Sequence, residues 1–236
     1  YVNMANIYEI RGDYLQALDY EKKALEISEK INAKNYAATV LSNIGVFYDK
    51  TGDYDEALNY FQRARKIYQE LGYKEGLMNN LTNIGSVFIE KGDVRSAEIV
   101  LNEGLALARS IGDREEQATA LTAIGDMHFQ TKDYRKALTH YDRALALSRT
   151  IGQKSMEGML YLHIGKLNLE KRDFESALSS FQRSLEIGKR TDAFGLIYES
   201  LGGIARVKEK QQRSDEAIAF YLQAIEKIES IRERLR

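Results

Sequence analysis

Alanine stands at Ala17, Ala57, Ala97, Ala137, Ala177 and Ala217, each 40 residues from the next. The strings around them are versions of one another: "GDYLQALDYEKKA" (12–24), "GDYDEALNYFQRA" (52–64), "GDVRSAEIVLNEG" (92–104), "KDYRKALTHYDRA" (132–144), "RDFESALSSFQRS" (172–184) and a degraded "QRSDEAIAFYLQA" (212–224). A second series runs Gly45, Gly85, Gly125, Gly165, continued by Ala5 and Ala205 at the ends, and a third runs Met4, Ile44, Ile84, Ile124, Ile164, Ile204. A register held this long without insertion or deletion means that one structural unit recurs and that its copies stack on one another.

Each period carries two apolar stripes at helical spacing. In the second copy these are Val40, Leu41, Ile44, Phe47 and Tyr48, then Tyr54, Ala57, Leu58, Phe61, Ala64 and Ile67. "KTGD" lies between them, with Gly52 placed to end one helix and Asp53 to cap the next. Gly72, Gly112 and Gly152 mark later boundaries. The unit is a hairpin of helix A and helix B. Gly45, Gly85, Gly125 and Gly165 fall in mid-helix A, where glycine costs about 1 kcal/mol against alanine. Close approach to helix B explains them. The alanine series supplies the small residues on B, and Phe61, Leu101, Tyr141, Phe181 and Tyr221 fill the space beside it. The chain has no proline and no linker-like stretch. The expectation is an all-α, uninterrupted array over 1–236, with repeats near 1–33, 34–73, 74–113, 114–153, 154–193 and 194–236.

These residues resemble the tetratricopeptide repeat over essentially the whole chain. Leu41, Ile44-Gly45 and Tyr48 match the family's helix A pattern, and Ala57, Phe61 and Ala64 match its helix B pattern. The common unit has 34 residues, so a 40-residue period predicts longer helices. The family's proline near the end of helix B is replaced by Gln69, Arg109, Arg149 and Lys189. The long variety is similar to the repeats of kinesin light chain, of Pins-type adaptors and of bacterial signalling proteins. The resemblance implies a right-handed α-solenoid (superhelix) of six antiparallel helical hairpins. Its concave groove would be lined mainly by A helices and would bind proteins or peptides, without catalysis.

Composition narrows the function. Net charge is −1 with both signs interspersed, which argues against nucleic acid as partner. There is no cysteine, so thiol, disulfide and cysteine-metal chemistry are excluded. No apolar run suits a membrane span. No metal or cofactor motif occurs, and a cytoplasmic location is the default. His128, His140 and His163 all fall within the repeat pattern, His128 replacing Tyr48 or Phe88. "GMLYLHIGK" (158–166) lacks the glycine spacing and the Ser/Thr of a phosphate loop. Glu115 and Glu116 open a helix, where its dipole favours acids, and read as a solvated first turn. The chain is expected not to be an enzyme.

Helix A offers a groove face at fixed register points: Asn3, Asn43, Asn83, Ala123, His163, Gly203; Asn6, Val46, Ser86, Asp126, Lys166, Arg206; and Val2, Ser42, Thr82, Thr122, Leu162, Gly202. The expected groove residues are Asn3, Asn6, Ser42, Asn43, Asn79, Thr82, Asn83, Ser86, Asp126, His163, Lys166, Arg206 and Lys210. Primary amides both donate and accept, so Asn3, Asn43 and Asn83 are expected to form a ladder for an extended peptide's main chain. The alternative is that they bond across adjacent A helices and set the stacking. Lys166, Arg206 and Lys210 read as a solvated basic face balanced by Asp126, Glu170 and Glu209. Val2, Ser42 and Thr82 occupy the places where chaperone-tail binders carry clamp lysines, which disfavours that activity. The second reading is a regulatory or self-associating module attached to an effector domain. Both ends are expected to be cuts from a longer protein. Ile228, Ile231 and Leu235 form a stripe in a tail similar to bacterial chains in which such repeats precede a CHAT protease domain.

Overall fold

A computed structural model describes residues 1–10 and 13–234, apart from the side chains of Asn6, Glu9, Ile10 and residues 231–234. Among the described residues twelve helices follow one another: α1 (Val2–Ile10), α2 (Tyr14–Lys30), α3 (Lys34–Thr51), α4 (Tyr54–Leu71), α5 (Lys74–Glu90), α6 (Val94–Ile111), α7 (Arg114–Gln130), α8 (Tyr134–Ile151), α9 (Lys154–Glu170), α10 (Phe174–Arg190), α11 (Phe194–Lys210) and α12 (Ser214–Arg234). No strand occurs among the described residues. Odd-numbered helices are the A helices and even-numbered ones the B helices.

The turns use the predicted chemistry. Asp13, Asp53, Asp93, Asp133 and Asp173 each accept from the backbone N–H three residues on, as in Ser96 N–H to Asp93 Oδ1 at 3.1 Å. Each satisfies an N–H that the first helical turn leaves without a partner. Gly52 and Gly72 end α3 and α4 in the left-handed conformation, at φ 81° and 65°. Later A-to-B turns place Lys132, Arg172 and Gln212 at φ 60°, 61° and 62°. The hairpin's geometry therefore imposes the turn even where the residue disfavours it.

Contacts divide the chain into two compact units, Tyr1–Glu116 and Gln117–Arg236. In the first, α1 to α6 pack each on the next, and α3 also reaches α5; in the second, α8 to α12 do the same, and α9 also reaches α11. Neighbouring B helices of the first unit are spanned by long side chains, Arg63 to Glu29 at 3.7 Å and Arg65 to Glu103 at 2.8 Å. Direct A–A contact makes the A side the tighter face of that unit.

The contact inside each hairpin is a knob in a slot. A Cβ added at Gly45 would lie 2.6 Å from Phe61 Cε1; at Gly125, 2.5 Å from Tyr141 Cε1; at Gly165, 2.7 Å from Phe181 Cδ1; and at Gly85 it would meet Leu101. Real Cβ atoms do not approach so closely, so any side chain at these helix A positions would force the facing knob to shift. Phe61, Leu101, Tyr141 and Phe181 are at most 1% exposed. One turn further on, rings stack across the hairpin: Tyr8 on Tyr20, Tyr48 on Tyr60 and His128 on His140, with centroids 5.3, 5.5 and 5.4 Å apart. His128 and His140 thus continue an aromatic stack. Gly85→Leu will overpack the slot and cost about 1–3 kcal/mol or more, lowering the melting temperature by several degrees. Glu98→Gln, exposed on α6, will leave it within about a degree; equal melting temperatures would refute the slot.

Candidate functional site

In three hairpins the B-helix residue at the knob register also meets the next A helix at one register point. A Cβ at Gly203 of α11 would lie 2.5 Å from Phe181 Cε1 of α10. The His163 ring of α9 lies 5.4 Å from that of Tyr141 on α8. The Asn43 amide of α3 donates to Glu21 Oε1 of α2 at 3.1 Å. Asn43, His163 and Gly203 of that series therefore lie against the preceding B helix. Packing makes Asn43 and Asn83 half-buried, leaves Asn3 exposed and buries Gly203. Leu162, from the third groove series, is buried at 3% exposure.

In the first unit Ser42, Thr82, Asn83 and Ser86 are half-buried on α3 and α5. Ser42 Oγ accepts from Asn80 Nδ2 at 3.3 Å, a bond across two A helices. Asn79 is exposed, and its amide, oriented to satisfy both sides, donates to the two Glu116 carboxylate oxygens at 2.8 and 3.0 Å. Glu116 is consequently no solvated residue of a first turn. Burial, with Asp113 and Glu115 nearby, pushes its carboxyl up, and the Asn79 amide opposes that push. The side chain of Asn6 lies outside the description.

In the second unit Asp126 Oδ1 accepts from Tyr141 Oη at 2.6 Å and lies 2.9 Å from His163 Nδ1. Burial, then the Asp126 charge, raises the Tyr141 hydroxyl well above its ordinary range. Lys166 Nζ bonds Glu199 Oε2 of α11 at 2.8 Å, so its counter-charge is none of the three acids expected. Glu209 accepts from Tyr221 Oη at 3.0 Å. Arg206 and Lys210 are exposed. Among the described residues, no group of three or more His, Asp or Glu could hold a metal ion, and no helix is long and apolar enough to cross a membrane.

Family models described as tetratricopeptide repeat match residues 1–70, 36–110, 75–150, 116–190 and 195–226. The chain belongs to the tetratricopeptide repeat family. No curated protein sequence matches it. Among solved structures, BtubC (BKLC) from P. vanneervenii is 15% identical with a TM-score of 0.76, covering 93% of this chain and 92% of that one. A Rap protein complexed with Competence and Sporulation Factor is 14% identical with a TM-score of 0.73, covering 98% and 75%. Kinesin light chain TPR-like repeats from Podosopora anserina are 11% identical with a TM-score of 0.64, covering 82% and 95%. These likenesses establish the α-solenoid fold.

Sequence reasoning missed a second polar cluster of this tetratricopeptide chain. Tyr161 occupies the register of Leu41, Leu81, Leu121 and Leu201; that departure was its only sequence signal. Arg149 and Arg183 lie over its ring, guanidinium carbons 5.5 and 5.6 Å from the centroid, and Arg149 Nη2 donates to its hydroxyl. Arg149 Nε and Lys154 Nζ donate to the two carboxylate oxygens of Glu157 at 3.1 and 2.7 Å. Burial opposes ionisation of Glu157, but the bonds from Lys154 and Arg149 prevail and hold its carboxyl below the ordinary value. A depressed carboxyl stabilises the fold above its unfolded pKa, about 4.3, and that contribution is lost as pH falls through the lower folded value. Thermal unfolding from pH 7 to 3 will show Glu157→Gln less stable than the parent near neutrality and converging on it in acid; a pH-independent difference would refute the linkage.

Proposed function

We propose that the chain is a single uninterrupted array acting as a protein-interaction scaffold. It binds an extended segment of a partner along its A-helix face, with Asn3, Asn43 and Asn83 as main-chain contacts. Family membership supports the general role. The observation carrying the finer reading is the half-buried amide row on α3 and α5, flanked by Ser42, Thr82 and Ser86. A half-buried amide holds its rotamer while keeping a polar edge towards a ligand, so it binds with less loss of side-chain entropy. Asn43 shares its amide with Glu21, which makes Asn83 the cleaner reporter. With peptides selected from a display library, Asn83→Ala will weaken affinity by about tenfold, equivalent to about 1.4 kcal/mol, at unchanged melting temperature. Unchanged affinity, or affinity lost only in step with stability, would defeat the ladder.

One observation favours the second reading, a self-associating regulatory module. Ile218, Leu222, Ile225 and Ile228 make a stripe on α12 that is 40–60% exposed. Ile225 holds the register of Leu185, which packs against Ile197 and Leu201 of the following helix. Such a surface is shaped to receive an A helix, and α1 of a second copy presents exposed Tyr1, Met4 and Ile7. The side chain of Ile231, and Leu235 altogether, from the same predicted stripe lie outside the description. Sedimentation velocity will show concentration-dependent association that Leu222→Glu abolishes; a monomer throughout the micromolar range would exclude this reading.

A further inference from the structure

The pairing of cations across neighbouring B helices changes between the two units. In the first, Arg63 of α4 lies over the Tyr60 ring, 5.2 Å from its centroid, and reaches Glu29 of α2 at 3.7 Å. Three periods on, the register of Glu29 holds Arg149 and that of Arg63 holds Arg183. The counter-charge that the scaffold gives Arg63 is thus replaced by a second cation. Arg149 has its own acid, Glu157, and lies in the field of Asp142. Arg183 rests over the Tyr161 ring at 5.6 Å, with Nη1 3.5 Å from the hydroxyl. Among the described residues no carboxylate pairs with Arg183, nor with Arg190 two turns further along α10. A cavity of about 380 Å³ opens beside this stack, lined by Lys154, Glu157 and Tyr161 of α9 and by Arg183, Glu186 and Arg190 of α10. None of these residues belongs to the groove series, so the site stands apart from the groove-binding reading.

We propose that this cavity seats a phosphomonoester, the phosphorylated side chain of a bound partner, against Arg183 and Arg190. Arg183 contributes a pre-oriented fork. Stacking on Tyr161 uses the face of the guanidinium and leaves the N–H groups in its plane for an oxyanion. The ring is itself fixed, since Tyr161 is 8% exposed and its hydroxyl accepts from Arg149. Arg183 therefore loses little side-chain entropy when an anion arrives. Arg190 projects from the same face of α10 about 10 Å along the axis, so the two forks close on a ligand from either end. A carboxylate offers two oxygens in one plane, whereas a phosphoryl group offers three and takes both forks at once. Lys154 and Arg149 together answer Glu157, which leaves two guanidinium groups against the carboxylate of Glu186. Glu186, with Glu175 of an adjoining depression, offsets part of this field. The attraction that remains grows with the charge of the ligand, which again favours phosphate over carboxylate. Lys154, Arg183 and Arg190 are exposed, so the cavity takes the head of a tethered group and does not enclose a whole small molecule.

The test titrates the whole chain with methyl phosphate at low ionic strength, where screening is weak, while the Arg183 Nε–H resonance is followed. Methyl phosphate will shift that resonance saturably and bind at least tenfold more tightly than acetate; equal affinities would overturn the assignment to phosphate. A blocked tripeptide with phosphoserine at its centre will bind more tightly than inorganic phosphate, and its serine counterpart will not bind. Inorganic phosphate binding as tightly as the phosphopeptide would overturn the assignment to a partner's side chain. Arg190→Gln, at an exposed position without an ion pair, will weaken methyl phosphate binding at least fivefold at an unchanged melting temperature. Arg183→Lys, which keeps the charge and loses the fork, will weaken it by a similar factor, and Glu186→Gln will strengthen it. Methyl phosphate affinity that survives both arginine substitutions would overturn the proposal. Asn83→Ala will leave the methyl phosphate titration unchanged; a parallel loss would refute the separation of this site from the groove.

Discussion

One large side chain on each of α4, α6, α8 and α10, seated against a helix A residue that has no Cβ, is the contact on which the rest of the fold depends. It sets the distance between the helices of a hairpin and fixes their relative rotation, because an aromatic ring fits the groove opposite glycine in few orientations. It also sets the next interface. The same ring is the surface that the following A helix meets, as Phe181 shows by lying against both Gly165 and Gly203. Hairpin geometry and stacking geometry are therefore one constraint. Native interiors are packed densely enough that such a slot admits no added methyl without displacement. This explains why glycine persists in mid-helix despite its intrinsic cost.

The chemically distinctive residues gather where that rule is modified. Tyr141 keeps the knob but adds a hydroxyl, and Asp126 and His163 are arranged around it. Tyr161 replaces an aliphatic residue and draws in Arg149 and Arg183. Glu21 replaces the knob outright, and a cavity follows. A repeat scaffold gains local chemistry cheaply in this way, since one substitution at a repeated position changes a contact without changing the register of its neighbours. The solved structures sharing the fold at 11–15% identity fit this logic. Only a few positions in each period hold the backbone, so the rest are free to diverge with the partner. The fold alone consequently leaves the ligand open.

Much of the architecture was legible in the sequence because it depends on local chemistry and repetition. Helix boundaries followed from Asp caps and from Gly52, Gly72, Gly112 and Gly152. The knob and slot followed from pairing two series that keep the same 40-residue period. His128 and His140 read as members of the repeat, and their stacked rings give the reason. Other readings failed where a side chain's surroundings come from another helix. Glu116 looked like a solvated first-turn acid and is half-buried beneath Asn79. Lys166 was matched to the wrong acids, because Glu199 is distant in sequence and adjacent only after α9 and α11 stack.

The sequence by itself therefore determined the class of fold, the hairpin unit, its turns and its internal contact, since each is set within one period and enforced by repetition. Tertiary structure alone decided what each face of an A helix meets. A periodic stripe marks which residues share a face, but not how far the next helix approaches it, and that distance is fixed by the bulk of a side chain in the preceding hairpin. For that reason Asn43 proved to be bonded to Glu21, Leu162 to be buried and Tyr161 to be held between two arginines. The cavity at Glu21 exists only because three helices converge on a position where the repeated ring is missing.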